Sequence, residues 1–129
     1  MPENPDTLLP DWSIPAAAHH NVRVLCDLEG LTYQQKEVLT ACVMVESGFK
    51  IDAMHQNYVI ENGERVLGST DYGICQWNDK FHGAEITPDQ ALHNPEMAVR
   101  LMCKYWLAGK MNQWCSYASG AYKQYLGKV

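Results

Sequence analysis

The sequence predicts a mostly helical α+β fold that carries one small β-hairpin. Apolar residues spaced at i, i+3 and i+4 and capping signals mark residues 15–48, and capping signals recur after residue 87. Residues 58–67 instead hold two β-prone runs around an Asn-Gly pair. A chain of 129 residues, 47% of them hydrophobic, suits one buried core and excludes a disordered protein. We therefore expect an irregular N-terminal arm over residues 1–14 and a single domain over residues 15–129.

The first two helices are predicted mainly from the residues at their ends. Pro15 suits the first turn of a helix that Gly30 would end. Thr32 and Gln35 then form a capping box, which opens a second helix running to about Ser47. The apolar positions expected to face the core are Val22, Leu25, Cys26, Leu39, Cys42 and Val43. The arm residues expected to pack on the domain are Leu8, Leu9 and Trp12.

The middle of the chain predicts a β-hairpin. Residues 58–60 and 65–67 flank Glu-Asn-Gly-Glu, and Asn-Gly between two β-prone runs is the strongest short-range hairpin signal. Asp71 comes four residues after the second run, within Ser-Thr-Asp-Tyr-Gly, so we expect it beyond the strand in polar, turn-like sequence.

The remainder of the chain predicts helices. Pro88 begins a short helix, and Asn94 caps a longer one that runs to about Ala108. Residues 111–126 predict one or two final helices, interrupted near Gly120.

Composition and cysteine count exclude several classes of protein. A net charge of −5 argues against binding to a nucleic-acid backbone, and the chain has no apolar run long enough to span a membrane. The acidic, proline-broken start does not resemble a secretory signal. Five cysteines without a C-x-x-C pair predict buried, reduced thiols rather than a disulfide framework or metal site. We expect no metal or organic cofactor, and a chain made in a reducing cytoplasm.

Two carboxylates stand out as candidates for chemistry. Glu46 ends the most apolar helical face of the chain, where lost hydration would raise its pKa and suit it to act as a general acid. Asp71 sits among hydroxyls and backbone N–H groups, which favour an ionised carboxylate. The alternatives are a solvent-exposed glutamate at a helix end and an aspartate that only forms a turn.

The strings around these residues resemble the chicken-type lysozymes. Residues 46–49 read Glu-Ser-Gly-Phe, and residues 69–78 read Ser-Thr-Asp-Tyr-Gly-Ile-Cys-Gln-Trp-Asn, which is similar to the family's Ser-Thr-Asp-Tyr-Gly-Ile-x-Gln-x-Asn. Residues 111–114 resemble the family's Met-Asn-x-Trp segment, and residues 116–120 resemble a segment of the soluble lytic transglycosylases. The resemblance implies a lysozyme-like fold over residues 15–129.

The resemblance also implies roles for individual residues. Glu46 would be the general acid and Asp71 the nucleophile or electrostatic stabiliser, as in the family's own two-carboxylate mechanism. Trp114 would be the apolar wall that raises the Glu46 pKa, although a purely structural core role is equally open. The residues implied to line the sugar cleft are Gln76, Asn78 and Tyr117, and the alternative for Gln76 is to satisfy backbone groups of the hairpin.

The departures from the family bear on where the protein acts. Glu46 and Asp71 are 25 positions apart, which is longer than in chicken-type lysozymes, and five cysteines cannot form the four disulfides of the secreted enzymes. The acidic charge also differs from the basic animal enzymes. These features favour a bacterial or bacteriophage member that reaches the cell wall by other means, as an endolysin or a virion-associated enzyme.

The function implied is that of a monomeric peptidoglycan muramidase, whose partner is the glycan strand. A lytic transglycosylase that forms 1,6-anhydro products through Glu46 alone is the first alternative, favoured by Tyr117. A non-catalytic wall-binding module on the same fold is the second. A cysteine amidase or peptidase built on Cys75 and His82 is the third.

Overall fold

Two helices open the computed structural model, which describes residues 11–129. Helix α1 (Pro15–Leu28) begins with proline in its first turn, and α2 (Tyr33–Ser47) begins with the predicted capping box, in which Thr32 and Gln35 satisfy each other's backbone N–H groups. Gly48 ends α2 in the left-handed region, with φ +60°. These helix predictions are confirmed. The expected packing of Leu8 and Leu9 falls outside the described residues, whereas Trp12 packs against the core.

The β-structure is larger than the sequence predicts. Strands β1 (Met54–Glu61) and β2 (Glu64–Tyr72) form the hairpin, and a short β3 (Trp77–Asn78) pairs antiparallel with the end of β2. The expectation that Asp71 lies beyond the hairpin is therefore wrong, because Asp71 is paired on both sides within β2. Ladder pairing on both edges overrides the weak strand propensity of this Gly-Ser-Thr-Asp sequence.

Two short helices and one longer helix follow the sheet. Helices α3 (Asp79–His82), α4 (Pro88–His93) and α5 (Pro95–Leu107) are all capped by side chains. The predicted final helix or helices are instead two 3₁₀ turns (Met111–Gln113 and Ala121–Tyr125) on either side of α6 (Cys115–Ala118). The break between the first 3₁₀ turn and α6 falls at Trp114, whose backbone is extended (φ −99°, ψ 126°) and whose indole is buried. The predicted interruption at Gly120 is confirmed, with φ +78°.

The core lies between α1, α2 and α5, with the C-terminal segment packed on α2. All five cysteines are free, as predicted, and four of them are buried in or beside this core, whereas Cys115 is exposed. The chain is therefore an α+β protein, which confirms the predicted class. No helix within residues 11–129 is both long and apolar enough to cross a bilayer.

Candidate active site

One cleft of about 210 Å³ separates the end of α2 from the sheet, and five of the predicted site residues line it: Glu46, Asp71, Gln76, Asn78 and Trp114. These residues come from three parts of the chain. The end of α2 supplies Glu46, the β2–β3 region supplies three of the others, and the C-terminal segment supplies Trp114. The fold therefore brings both candidate carboxylates to the same concave surface.

Glu46 lies in the last turn of α2 and is partly buried. The backbone N–H of Ser116 donates to its Oε2 at 3.2 Å. Burial raises the pKa of Glu46 above its ordinary value, and the negative charge of Asp71 adds to this rise. Hydrogen bonding from Ser116 opposes the rise without cancelling it. A carboxyl in this condition holds its proton to a higher pH than an exposed glutamate does, as a general acid must.

Trp114 forms one wall of the cleft and is also a core residue. Its side chain is 4% exposed, and its Nε1 donates to the Cys75 carbonyl at 2.8 Å. It packs edge-on against Trp77, with ring centroids 5.0 Å apart, and tilted against Trp106 at 5.1 Å. The two roles left open by the sequence, wall and core, are thus compatible in one residue.

Asp71 accepts a hydrogen bond at each of its oxygens. The Asn57 amide donates to Oδ2 at 3.0 Å and the Asn78 amide donates to Oδ1 at 2.9 Å. The Asn78 amide has a fixed orientation, because its Oδ1 accepts from the backbone N–H groups of Lys80 and Phe81 that begin α3. Two oxygens that both accept are the pattern of a carboxylate rather than of a carboxylic acid.

These donors differ from the ones that the sequence indicated. The adjoining Ser69 accepts from both amides, at 3.2 Å from Asn57 and 2.9 Å from Asn78, and the backbone N–H of Thr70 donates to Asp79. The polar environment of Asp71 is therefore built by β1 and β3, not by its neighbours in sequence. Asn57 is a site residue that the sequence did not indicate.

A register shift explains how Asn57 reaches Asp71. Counting back from the Asn-Gly turn pairs Tyr58 with Leu67, but the next pair is Asn57 with Ser69, so Gly68 is skipped. Because side chains alternate along a strand, this shift by one residue moves Ser69 and Asp71 to the face that carries Asn57. The glycine was the available signal, since an isolated glycine inside a strand often marks a bulge.

Gln76 combines the two roles considered for it. Its Nε2 donates to the carbonyls of Gly73 at 2.8 Å and Ala53 at 3.0 Å, which ties the β2–β3 turn to the start of the hairpin. The residue also lines the cleft. Tyr117, in contrast, lines a second hollow of about 160 Å³ and stacks on Tyr122, with ring centroids 5.4 Å apart.

The cysteine–histidine alternative lacks a thiol in the setting that a nucleophile needs. Cys75 is fully buried, and burial raises the pKa of its thiol well above the usual range. Nucleophilic cysteines need the opposite, a thiolate in a partly exposed and electropositive setting. His82 does line the cleft, where its ring lies parallel to Trp114 at a centroid distance of 6.4 Å.

Comparison of the chain with protein-family models, with curated proteins and with solved structures finds no match in any of the three. The resemblance to lysozymes therefore rests on the motif residues themselves and stays a prediction.

Proposed function

We propose that this protein is a peptidoglycan muramidase with a lysozyme-like fold, which hydrolyses the β-1,4 bond between N-acetylmuramic acid and N-acetylglucosamine. The observation that carries the proposal is the pair of carboxylates in one cleft with opposite environments. Glu46 is partly buried with a raised pKa, while both oxygens of Asp71 accept amide hydrogen bonds. Such a pair is what an oxocarbenium-like transition state requires.

In this mechanism Glu46 protonates the glycosidic oxygen as the bond to the anomeric carbon breaks. Asp71 either stabilises the positive charge on that carbon or attacks it, forming a glycosyl-enzyme intermediate that water then hydrolyses. Asn57 and Asn78 hold the Asp71 carboxylate from β1 and β3, so that little reorganisation is needed as charge develops. Trp114 lines the same cleft as Glu46, where we expect its indole to limit access of water to the carboxyl.

The test of the acid role is Glu46→Gln, which keeps the shape of the side chain and removes its proton. We expect clearing of purified cell walls to fall at least about a hundredfold, since general acid catalysis contributes about 10²–10⁴. Glu64→Gln is the matched control, because Glu64 is an exposed glutamate at the hairpin turn. Comparable activity in the Glu46 variant and the control would rule out the proposal.

Product masses separate the other activities considered for this chain. Muropeptides with an ordinary reducing end support hydrolysis, whereas products lighter by one water would identify a lytic transglycosylase. Release of stem peptides would identify an amidase, and binding without new products would identify a wall-binding module. One digest therefore distinguishes a protein that catalyses a different reaction, which gives other products, from a protein that gives no products.

A further inference from the structure

Ser116 is a buried residue placed directly at the Glu46 carboxyl. It lies in α6 with 3% of its surface exposed, and its backbone N–H donates to Glu46 Oε2 at 3.2 Å. Its Oγ is also buried, yet within the described part of the chain it makes no hydrogen bond of acceptable geometry. Buried hydroxyls are nearly always paired, so an unpaired one beside a candidate acid requires an explanation.

The surroundings of the hydroxyl point to Glu46 as its acceptor. Cys42 and Glu46 lie one turn apart on α2, and the Ser116 side chain lies close enough to both to lower the pKa of each. Burial nevertheless raises the pKa of Cys42 to about 12, so this thiol stays neutral and accepts hydrogen bonds only weakly. Glu46 is the partner whose acceptor strength changes greatly, because a carboxylate accepts far more strongly than a protonated carboxyl does.

We propose that Ser116 is a positioning residue for Glu46, whose hydroxyl is held unpaired beside the protonated carboxyl and donates to the carboxylate once Glu46 has given up its proton. The backbone N–H of Ser116 contacts Glu46 already in the structure and so fixes where the carboxyl lies. The hydroxyl adds a second donor, and its bond is strongest in the deprotonated state.

The catalytic consequence rests on the proposed function. When Glu46 transfers its proton to the leaving oxygen, negative charge develops on the carboxyl, and the Ser116 O–H stabilises that charge without losing its own proton. An interaction that strengthens between ground state and transition state raises kcat and leaves KM nearly unchanged. Ser116 never touches the sugar in this scheme, so its effect passes entirely through Glu46.

The experiment compares Ser116→Ala and Ser116→Thr, with Ser119→Ala as the control because Ser119 is an exposed serine in the same segment. The first measurement is an NMR titration of the Glu46 side-chain carboxyl carbon, which requires no enzymatic activity. The titratable groups that face Glu46 are left unchanged by these variants: Asp71 on β2, His55 on β1, Cys42 on α2 and Cys75 after β2.

We expect the Glu46 pKa to rise by on the order of one unit in Ser116→Ala, as loss of a charge-assisted donor would cause. It should stay near the wild-type value in Ser116→Thr and in Ser119→Ala. In the activity assay, the alkaline limb of the pH profile should move upward by the same amount, and kcat should fall about tenfold at constant KM. Ser116→Cys has a slightly larger side chain with a weaker donor and should give an intermediate rise, so it serves if the alanine variant does not fold.

An unchanged Glu46 pKa in folded Ser116→Ala or Ser116→Cys would overturn the inference, even if the enzyme proves to be a muramidase. A shifted pKa in a protein without wall-cleaving activity would instead support the placement of the hydroxyl and reject the proposed function. A fall in kcat without any movement of the pH profile would indicate that Ser116 only supports the fold, and would also overturn the inference.

Discussion

Replacing Trp114 by phenylalanine tests whether this residue is both a wall of the cleft and part of the core. The change deletes roughly two buried ring carbons at about 0.8 kcal/mol each, hence about 1–2 kcal/mol of packing. It also removes the bond from Nε1 to the Cys75 carbonyl, and leaving a buried acceptor unpaired costs about 1–3 kcal/mol. The free energy of unfolding should therefore fall by about 2–5 kcal/mol. For a typical stability of about 10 kcal/mol, about half or more would remain.

Trp106→Phe is the matched control for this change. Trp106 is 1% exposed in the same aromatic cluster, but its Nε1 is unpaired among the described residues and it does not line the cleft. Its replacement should lose only packing, about 1–2 kcal/mol, and removal of an unpaired buried donor offsets part of that. Urea denaturation should thus separate the two variants by at least about 1–3 kcal/mol, most of which is the contribution of the hydrogen bond.

The two variants should also differ in their effect on Glu46. A smaller ring at position 114 admits water to the carboxyl from the cleft side, so the Glu46 pKa should fall towards its ordinary value in Trp114→Phe and stay unchanged in Trp106→Phe. An NMR titration of the carboxyl carbon measures both. Equal losses of stability together with equal Glu46 pKa values would refute the wall role and leave Trp114 as a core residue like its neighbour.

Further predictions concern stability and the sheet. Because burial raises the folded-state pKa of Glu46 above its unfolded value, the wild-type protein binds more protons when folded, and its stability should decline as pH rises from the unfolded value through the folded one. Glu46→Gln should remove this decline. The melting temperature of the variant minus that of wild type should therefore be larger at pH 8 than at pH 4, and a difference independent of pH would contradict the reasoning. Gly73→Ala should cost about 2–5 kcal/mol, since φ is +79° and a Cβ would lie 2.0 Å from the Ala91 carbonyl oxygen. Gly63→Ala, where φ is +78° with open space around it, should cost only about 1 kcal/mol in the same urea titration.

Helix ends were the most predictable part of the fold because their signals are local. A capping box at Thr32 and Gln35 and a left-handed glycine at position 48 determine where α2 begins and ends without reference to the rest of the chain. The C-terminal segment was predicted less well for the opposite reason. Its backbone follows the burial of Trp114, whose hydrogen bond to Cys75 crosses 39 positions of sequence.

The extent of the sheet was underestimated because strand pairing is not local. Residues 68–71 read Gly-Ser-Thr-Asp, in which only threonine favours strands, and they belong to β2 because β1 pairs with residues 69–72 and β3 pairs with Asp71 and Tyr72. The skipped Gly68 then decides which face each side chain takes. A hairpin counted strictly from its turn would have placed Asp71 on the face away from Asn57.

The hydrogen-bond partners of the two candidate carboxylates were also not predictable from nearby sequence. Sequence reasoning assigned Glu46 an apolar setting and Asp71 a polar one from their immediate neighbours, and both descriptions hold in the structure. The groups responsible are different, however. Ser116, 70 positions away, supplies the hydrogen bond to Glu46, and amides from two other strands hold Asp71. A hydrogen bond depends on how close two groups lie in space and not on how far apart they are in sequence. The chemistry of the two carboxylates can therefore be anticipated from a motif, but the residues that hydrogen-bond to them are identified only from the fold.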